Sequence, residues 1–246
     1  MIALLAAMRQ EMVGVQQRMA LQETLVRPDL RVCVGAYENK HILLAQTGIG
    51  KEKAEAAAKF VLERYPVSPL ISFGFAGALS PELRAGDVVL CLKLHCKSDI
   101  GAGSLDGFDH RLLPLAVQAA RETVINLHLG DNVTVDELVT QPEEKQALGE
   151  AFSAMTVDME SYWVARIASA RQISFLAVRA ISDTLTQSLP KFDQFSNLGG
   201  TRLWKEAIRH FLARPGELAQ LPQVYRNGLR ARKSLTYFLD AFVPRL

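Results

Sequence analysis

Apolar positions along residues 157–183 predict one helix followed by one strand. Trp163, Val164, Ile167 and Ala168 recur at helical spacing, and residues 173–181 form a short, nearly unbroken apolar run bounded by polar residues, as a strand buried on both faces does. Read from its start, the chain gives a first strand over residues 2–7, then a helix with Met8, Met12, Val15 and Met19 on one face. Residues 32–34 and 41–45 flank Glu38-Asn39-Lys40 as the strands of a hairpin, and Ala54, Ala57, Ala58, Val61 and Leu62 mark the next helix. Strands are expected at residues 70–73, at 88–90 continuing through Cys91 and Cys96, and at 133–135. A helix is expected at residues 112–123, a loop at 97–110 around Gly101, Gly103 and Gly107, and helices from about residue 201. Helices alternating with buried strands predict an α/β fold, and 246 residues are enough to bury its core as one domain.

Carboxylates change this picture at a few points. Asp158 and Glu160 enter the helix of the 157–183 unit, and Asp183 stands where its strand runs out, the end at which open parallel sheets place ligands. Glu11 falls in the first turn of the first helix. Each also has a plain structural account, since acids favour helix N-termini through the dipole and can cap the segment after a strand. Thr47-Gly48-Ile49-Gly50-Lys51 leads into a helix as an anion-cradling loop does. However, the sixth position of the dinucleotide pattern is Lys53, and a Walker lysine would need a glycine where Ala45 stands, so both nucleotide-loop readings fail. Gly74-Phe75-Ala76-Gly77-Ala78-Leu79 reads either as a tight turn or as backbone left bare for a ligand. Cys91, His95 and Cys96 match no zinc spacing, so a buried strand and no metal is expected there.

The net charge of +2, without a long like-charge block or a nucleic-acid motif, excludes nucleic acid as the expected partner. Three cysteines in no even framework fit a reducing cytoplasm. The apolar start lacks a basic lead, and no apolar run is long enough to span a bilayer. The tail stands apart, because residues 201–246 carry nine Lys or Arg against three acids. There Leu229, Leu235, Phe238, Leu239 and Phe242 interleave with Arg230, Arg232 and Lys233. Two accounts stand: terminal helices packed on the core with a solvated basic face, or a basic amphipathic surface for peripheral contact with anionic membrane.

Val157-Asp158-Met159-Glu160, with Val178-Arg179-Ala180-Ile181-Ser182-Asp183 one helix and one strand later, resembles the signature of the nucleoside phosphorylase and nucleosidase superfamily, especially the methylthioadenosine/S-adenosylhomocysteine nucleosidases. The string through Ser161, the short middle loop and the long tail look most similar to hopanoid-associated phosphorylases. The resemblance covers residues 1 to about 195, and it is strongest at 157–183. It implies a three-layer α/β/α domain with a mixed central sheet over residues 1–200, a helical extension over 201–246 packed on the same domain, and a homo-oligomer, as a dimer.

The resemblance also implies roles. Asp183 would be the acid for the leaving base, and Glu11, in Ala7-Met8-Arg9-Gln10-Glu11, would activate water. Met159 and Glu160 would hold the ribose, and Leu138, Val139, Ser182 and Phe192 the base. Ala7, Arg9, Gly48, Ile49, Phe75, Ala76 and Gly77 would form the loops around sugar and nucleophile. The chain departs from the family pattern at Arg9 and Gln10, where acids are common, and at Phe75, where a hydroxyl is usual.

These residues suit cleavage of a purine N-glycosidic bond without metal or organic cofactor. A carboxyl in a partly dry strand end, as expected for Asp183, would have its proton affinity raised by desolvation and could serve the departing base. Glu160 could accept both ribose hydroxyls. Glu11 favours water as co-substrate, whereas Arg9 keeps phosphate open. The expected substrate is an adenine-type nucleoside, with an adenosyl lipid of hopanoid synthesis as the narrower reading. A non-catalytic nucleoside-binding protein on the same scaffold is the alternative.

Overall fold

A computed structural model of the chain describes residues 1–28, 30–98, 101–189 and 215–246. The first half runs β1 (Ile2–Ala6), α1 (Arg9–Arg18), β2 (Ala20–Arg27), β3 (Leu30–Tyr37), β4 (Lys40–Gln46), α2 (Lys51–Arg64), β5 (Leu70–Ala78), β6 (Val88–Ser98) and β7 (Gly101–Asp106). The second half runs α3 (Leu112–Arg121), β8 (Leu127–Val135), α4 (Pro142–Phe152), β9 (Thr156–Asp158), α5 (Ser161–Ala170), β10 (Phe175–Asp183) and α6 (Pro215–Phe242).

The ten strands form one mixed sheet in the order β10-β6-β8-β9-β5-β1-β4-β3-β2, with β7 on β6. Because β10 also pairs with β5, the strands β5, β10, β6, β8 and β9 close a ring from which β1, β4, β3 and β2 extend. Side chains alternate across β1, so Ile2, Leu4 and Ala6 join one core and Ala3 and Leu5 the other. Met12 and Val15 of α1, Ala116 and Ala119 of α3, and Leu235, Phe238 and Phe242 of α6 cover the first face. Ala54, Ala58 and Val61 of α2 and Trp163, Val164 and Ile167 of α5 cover the second. The result is a mixed α/β domain with helices on both faces of its sheet.

Several local expectations change. The glycine-rich residues 74–78 continue β5 instead of turning, because β10 runs beside them in parallel as far as Gly77 and β9 pairs antiparallel with Gly77 and Ala78. Residues 101–106 are strand β7, paired antiparallel to β6, and not loop. Gly103 lies against the Tyr162 hydroxyl and Gly107 against the Cys91 carbonyl, so these glycines mark close contacts. Asp158 ends strand β9, and the helix begins only at Ser161. Strand β2 and helix α4 are additional to the elements read from the pattern.

In the tail, Leu235, Phe238, Leu239 and Phe242 are fully buried in the first core. The apolar half of the suggested amphipathic membrane surface is therefore turned inward. Among the described residues, no helix is long and apolar enough to cross a membrane.

Candidate active site

Strand β5 organises the polar centre of the molecule. A Cβ on Gly74 would stand 2.8 Å from Glu11 Oε1, and one on Gly77 would stand 3.0 Å from Asp183 Oδ2. Each glycine thus leaves space that a carboxylate occupies, which is why the bare backbone lies within the strand and not in a turn after it.

Glu11 is buried at the start of α1. Its Oε2 accepts the Met8 N–H at 2.7 Å and its Oε1 the Phe75 N–H at 2.7 Å. Burial pushes its carboxyl up from the usual range, against the opposing pull of those two N–H groups and of the Arg179 charge. Glu160, just before α5, accepts the Gly50 N–H on Oε1 at 2.8 Å. Gly50 has φ of +90°, so glycine is what lets the loop aim that N–H at the carboxylate. Burial, and after it the charge of neighbouring Asp158, push Glu160 up to about 8.

Behind these two acids lies a buried ion pair. Arg179, in the middle of β10, donates Nε–H to Asp158 Oδ2 at 2.8 Å, and its other nitrogens donate to the Ser72 carbonyl and hydroxyl and to the Val178 carbonyl. Asp158 Oδ1 accepts from Asn132 and Thr134, and its Oδ2 accepts from the Ser161 N–H and hydroxyl. Burial would raise the Asp158 carboxyl, but Arg179 and these hydrogen bonds outweigh it and hold it low. Ala7, Glu11, Thr47, Ser72, Glu160 and Arg179 line one cavity, with about 10 Å³ of room for a solvent centre. That is roughly the space of one water molecule.

Asp183 closes the far end of β10 in a different setting. Its Oδ1 accepts the Ser182 hydroxyl at 2.7 Å, and its Oδ2 faces the Lys145 ammonium at 2.5 Å. Lys145 is wholly buried and also donates to the carbonyls of Thr184 and Gln187, each at 2.9 Å. The sequence reading expected an acid governed by desolvation alone. Instead, Asp183 is ion-paired inside the protein.

The structure brings Ala7, Glu11, Phe75 and Glu160 to the same cavity. Phe75 serves through its main-chain N–H, so that contact needs no hydroxyl at the position. Gly48 has φ of +79° and donates its N–H to the Ala7 carbonyl at 3.1 Å, joining two of the expected loops. The Ala76 carbonyl lies 3.3 Å from the Ser182 hydroxyl oxygen, whose proton goes to the nearer Asp183 carboxylate. Val139 and Met159 pack on one small apolar cluster, while Leu138 and Ile49 are exposed. Arg9 is exposed and does not line the cavity. Phe192 lies outside the described residues. Among the described residues no His, Cys, Asp and Glu cluster is arranged to hold a metal, and His95 pairs with Asp131 at 3.1 Å.

Arg179, which enters the sequence analysis only within the family signature, and Lys145 are two charged residues to which the sequence gives no role. Arg179 carried a signal, because a lone arginine inside a strand buried on both faces demands a buried partner.

Comparison with known proteins agrees with this architecture. The aminodeoxyfutalosine nucleosidase of Campylobacter jejuni is 30% identical over 207 residues, covering 79% of this chain and 90% of that protein. A 5′-methylthioadenosine/S-adenosylhomocysteine nucleosidase of Oceanobacillus iheyensis is 29% identical over 213 residues, covering 81% and 93%. The crystal structure of the corresponding Neisseria meningitidis nucleosidase with methylthio-immucillin-A superposes at a TM-score of 0.78, covering 100% of this chain and 99% of that one at 20% identity, a likeness of fold. The family model described as the Phosphorylase superfamily matches residues 1–212, and the chain belongs to that family.

Proposed function

We propose that this chain is a purine nucleosidase that hydrolyses the N-glycosidic bond of an adenine-type nucleoside. The observation that carries the reading is that Glu11 and Glu160 share one buried cavity with room for about a single water. Water there gives a proton to Glu11, whose raised proton affinity suits a base, and its oxygen adds to C1′ of the sugar. The C1′–N9 bond breaks and its electron pair goes to the purine, Asp183 hands N7 a proton that it has taken from solvent, and Glu11 afterwards returns the water's proton to solvent. Glu160 accepts the ribose hydroxyls, and Met159 packs on the sugar.

Water is favoured over phosphate for an electrostatic reason. The arginine lining the cavity, Arg179, is committed to Asp158 and Ser72, and a second anion beside Glu11 would be repelled. The narrower substrate, a nucleoside with an apolar 5′ substituent of which an adenosyl lipid is the extreme case, rests on the resemblance of residues 157–161, the short middle loop and the tail to hopanoid-associated phosphorylases. The basic side chains Arg230 and Lys233 remain exposed on α6 for any contact with an anionic surface, and the dimer is part of the same proposal.

The test is adenine release from 5′-methylthioadenosine, S-adenosylhomocysteine, aminodeoxyfutalosine and an adenosyl lipid, each with and without phosphate. Release independent of phosphate is expected. A strict phosphate requirement overturns hydrolysis, and ligand-induced thermal stabilisation without release favours a nucleoside-binding protein. Light scattering on the same preparation tests the dimer, and co-sedimentation with anionic and neutral vesicles tests the surface contact.

A further inference from the structure

Lys145 is the one wholly buried lysine among the described residues, although lysine is rarely buried without a partner. All three of its N–H donors are used, one on Asp183 Oδ2 at 2.5 Å and one each on the carbonyls of Thr184 and Gln187 at 2.9 Å. It therefore has no donor left for a substrate. Its ammonium is rigidly set, because α4 brings it in on the same face as Leu148, one turn away, and that residue is itself buried.

Among the described residues, the other groups that contact Asp183 carry no charge. Strand β5 brings Gly77, β10 brings the Ser182 hydroxyl, and the following segment brings the two carbonyls that Lys145 already holds. Gln187, held by Lys145 through its carbonyl, accepts the Asn227 amide of α6 through its side chain at 2.9 Å. A plain structural account would have Lys145 stapling the segment after β10 to α4 and nothing more. The shortest of its contacts is nevertheless to the carboxylate, whose second oxygen is already occupied by Ser182. Both carboxylate oxygens are thereby fixed in direction.

We propose that Lys145 is a positioning residue for the leaving base, fixing Asp183 in orientation and countering its charge, so that it governs departure of the purine and not attack on the sugar. This rests on the proposed nucleosidase activity, in which Asp183 passes a proton to the purine as the C1′–N9 bond breaks. A leaving group that departs as a stable anion needs no such proton, so cleavage of a p-nitrophenyl riboside does not depend on Asp183 or on Lys145.

The experiment compares adenine release with p-nitrophenolate release in Lys145→Gln, Lys145→Arg, Asp183→Asn and the wild type. Lys145→Gln is expected to lose roughly 100-fold in adenine release, the scale of a small misplacement of a reacting group, while p-nitrophenolate release stays within about two-fold. Lys145→Arg, which keeps the charge, recovers most of the adenine release.

Equal loss on both substrates in folded Lys145→Gln, or no recovery of adenine release in Lys145→Arg, overturns the proposal. If Lys145→Gln does not fold, the double variant Lys145→Met with Asp183→Asn leaves no unpaired charge and decides instead. It should release adenine at the rate of Asp183→Asn alone, and a further drop overturns the proposal. If the wild type releases adenine from no nucleoside, the nucleosidase reading falls and the proposal with it, an outcome told apart from the proposal's own failure by the wild-type rate.

Discussion

The carboxylates of this molecule are held in two ways. At the cavity, Glu11 and Glu160 are held by backbone N–H groups, those of Met8 and Phe75 for one and Gly50 for the other. Behind the cavity and beside it, Asp158 and Asp183 are held by buried cations, Arg179 and Lys145. Neutral dipoles fix the direction of a carboxylate while leaving burial to raise its proton affinity, whereas a full counter-charge fixes its charge as well. The first arrangement suits groups that must gain and lose protons or greet a new donor. The second suits groups that must stay where they are, and Asp183 is the instructive case because the proposed chemistry asks it to do both.

The largest effect expected from breaking this comparison is at Asp183. Asp183→Asn keeps size and one acceptor but cannot pass a proton, so adenine release should fall by ~100- to 10,000-fold in the folded variant. Turnover at the wild-type level would remove Asp183 from the leaving-group role.

Next comes the other cation-held acid. Asp158→Asn strips the partner from a wholly buried guanidinium, and denaturant unfolding should show a loss of about 3–5 kcal/mol. A much smaller loss would mean that Ser72 and the backbone carbonyls suffice for Arg179.

A smaller effect is expected at the dipole-held Glu160. Glu160→Gln still accepts the Gly50 N–H, so the fold should be little disturbed, while the loss of a charged acceptor for the ribose costs about 1.5–3 kcal/mol in kcat/KM. Comparing ribonucleosides with their 2′-deoxy analogues checks the assignment, since the wild type must prefer the former if Glu160 reads the hydroxyls.

The mildest perturbation is pH itself. With Glu160 raised to about 8, its carboxyl is neutral below that value and anionic above it. The contribution of the ribose contact to kcat/KM should therefore rise roughly five- to ten-fold between pH 7 and 8.5, because kcat/KM reports the free enzyme. Glu160→Gln should abolish that rise, and a rise that persists in the variant belongs to another group.

Much of this arrangement is legible in the sequence where a residue's pattern and its burial agree. The apolar face of Met12 and Val15 puts Glu11 one residue from a buried position, and the run ending at Ile181 delivers Asp183 to a strand end. Where glycine is involved, the same letter has two physical meanings. Gly74 and Gly77 read either as a tight turn or as backbone bared for a ligand, and Gly103 and Gly107 as loop, yet in the structure they are places where a carboxylate, a tyrosine or a carbonyl comes too close for a Cβ. Lys145 was hidden because it stands beside Glu143 and Glu144 in a stretch where the pattern predicts no element, and helix α4 forms there. Its position one turn from Leu148 is the only local trace of its inward direction. The tail was ambiguous for the opposite reason, since an amphipathic helix has the same pattern whether its apolar face meets a core or a lipid surface. Strand β2 escaped notice as an almost wholly exposed edge strand with little apolar signal to read.

The closure of the sheet on β5 also has a meaning in time. Strand β5 ends at Ala78, whereas β10, which runs along it in parallel, begins only at Phe175. At ribosomal speeds of about 5–20 residues per second, the intervening stretch takes about 5–20 s to emerge. Through that interval the newly made β5, apolar and glycine-rich, presents an unpaired edge, the kind of edge that recruits other nascent chains. Fast folding of the amino-terminal half offers no protection, because the missing neighbour is still being synthesised. The polar centre is thus assembled last, once β10 has brought Arg179 and Asp183 to the side of β5.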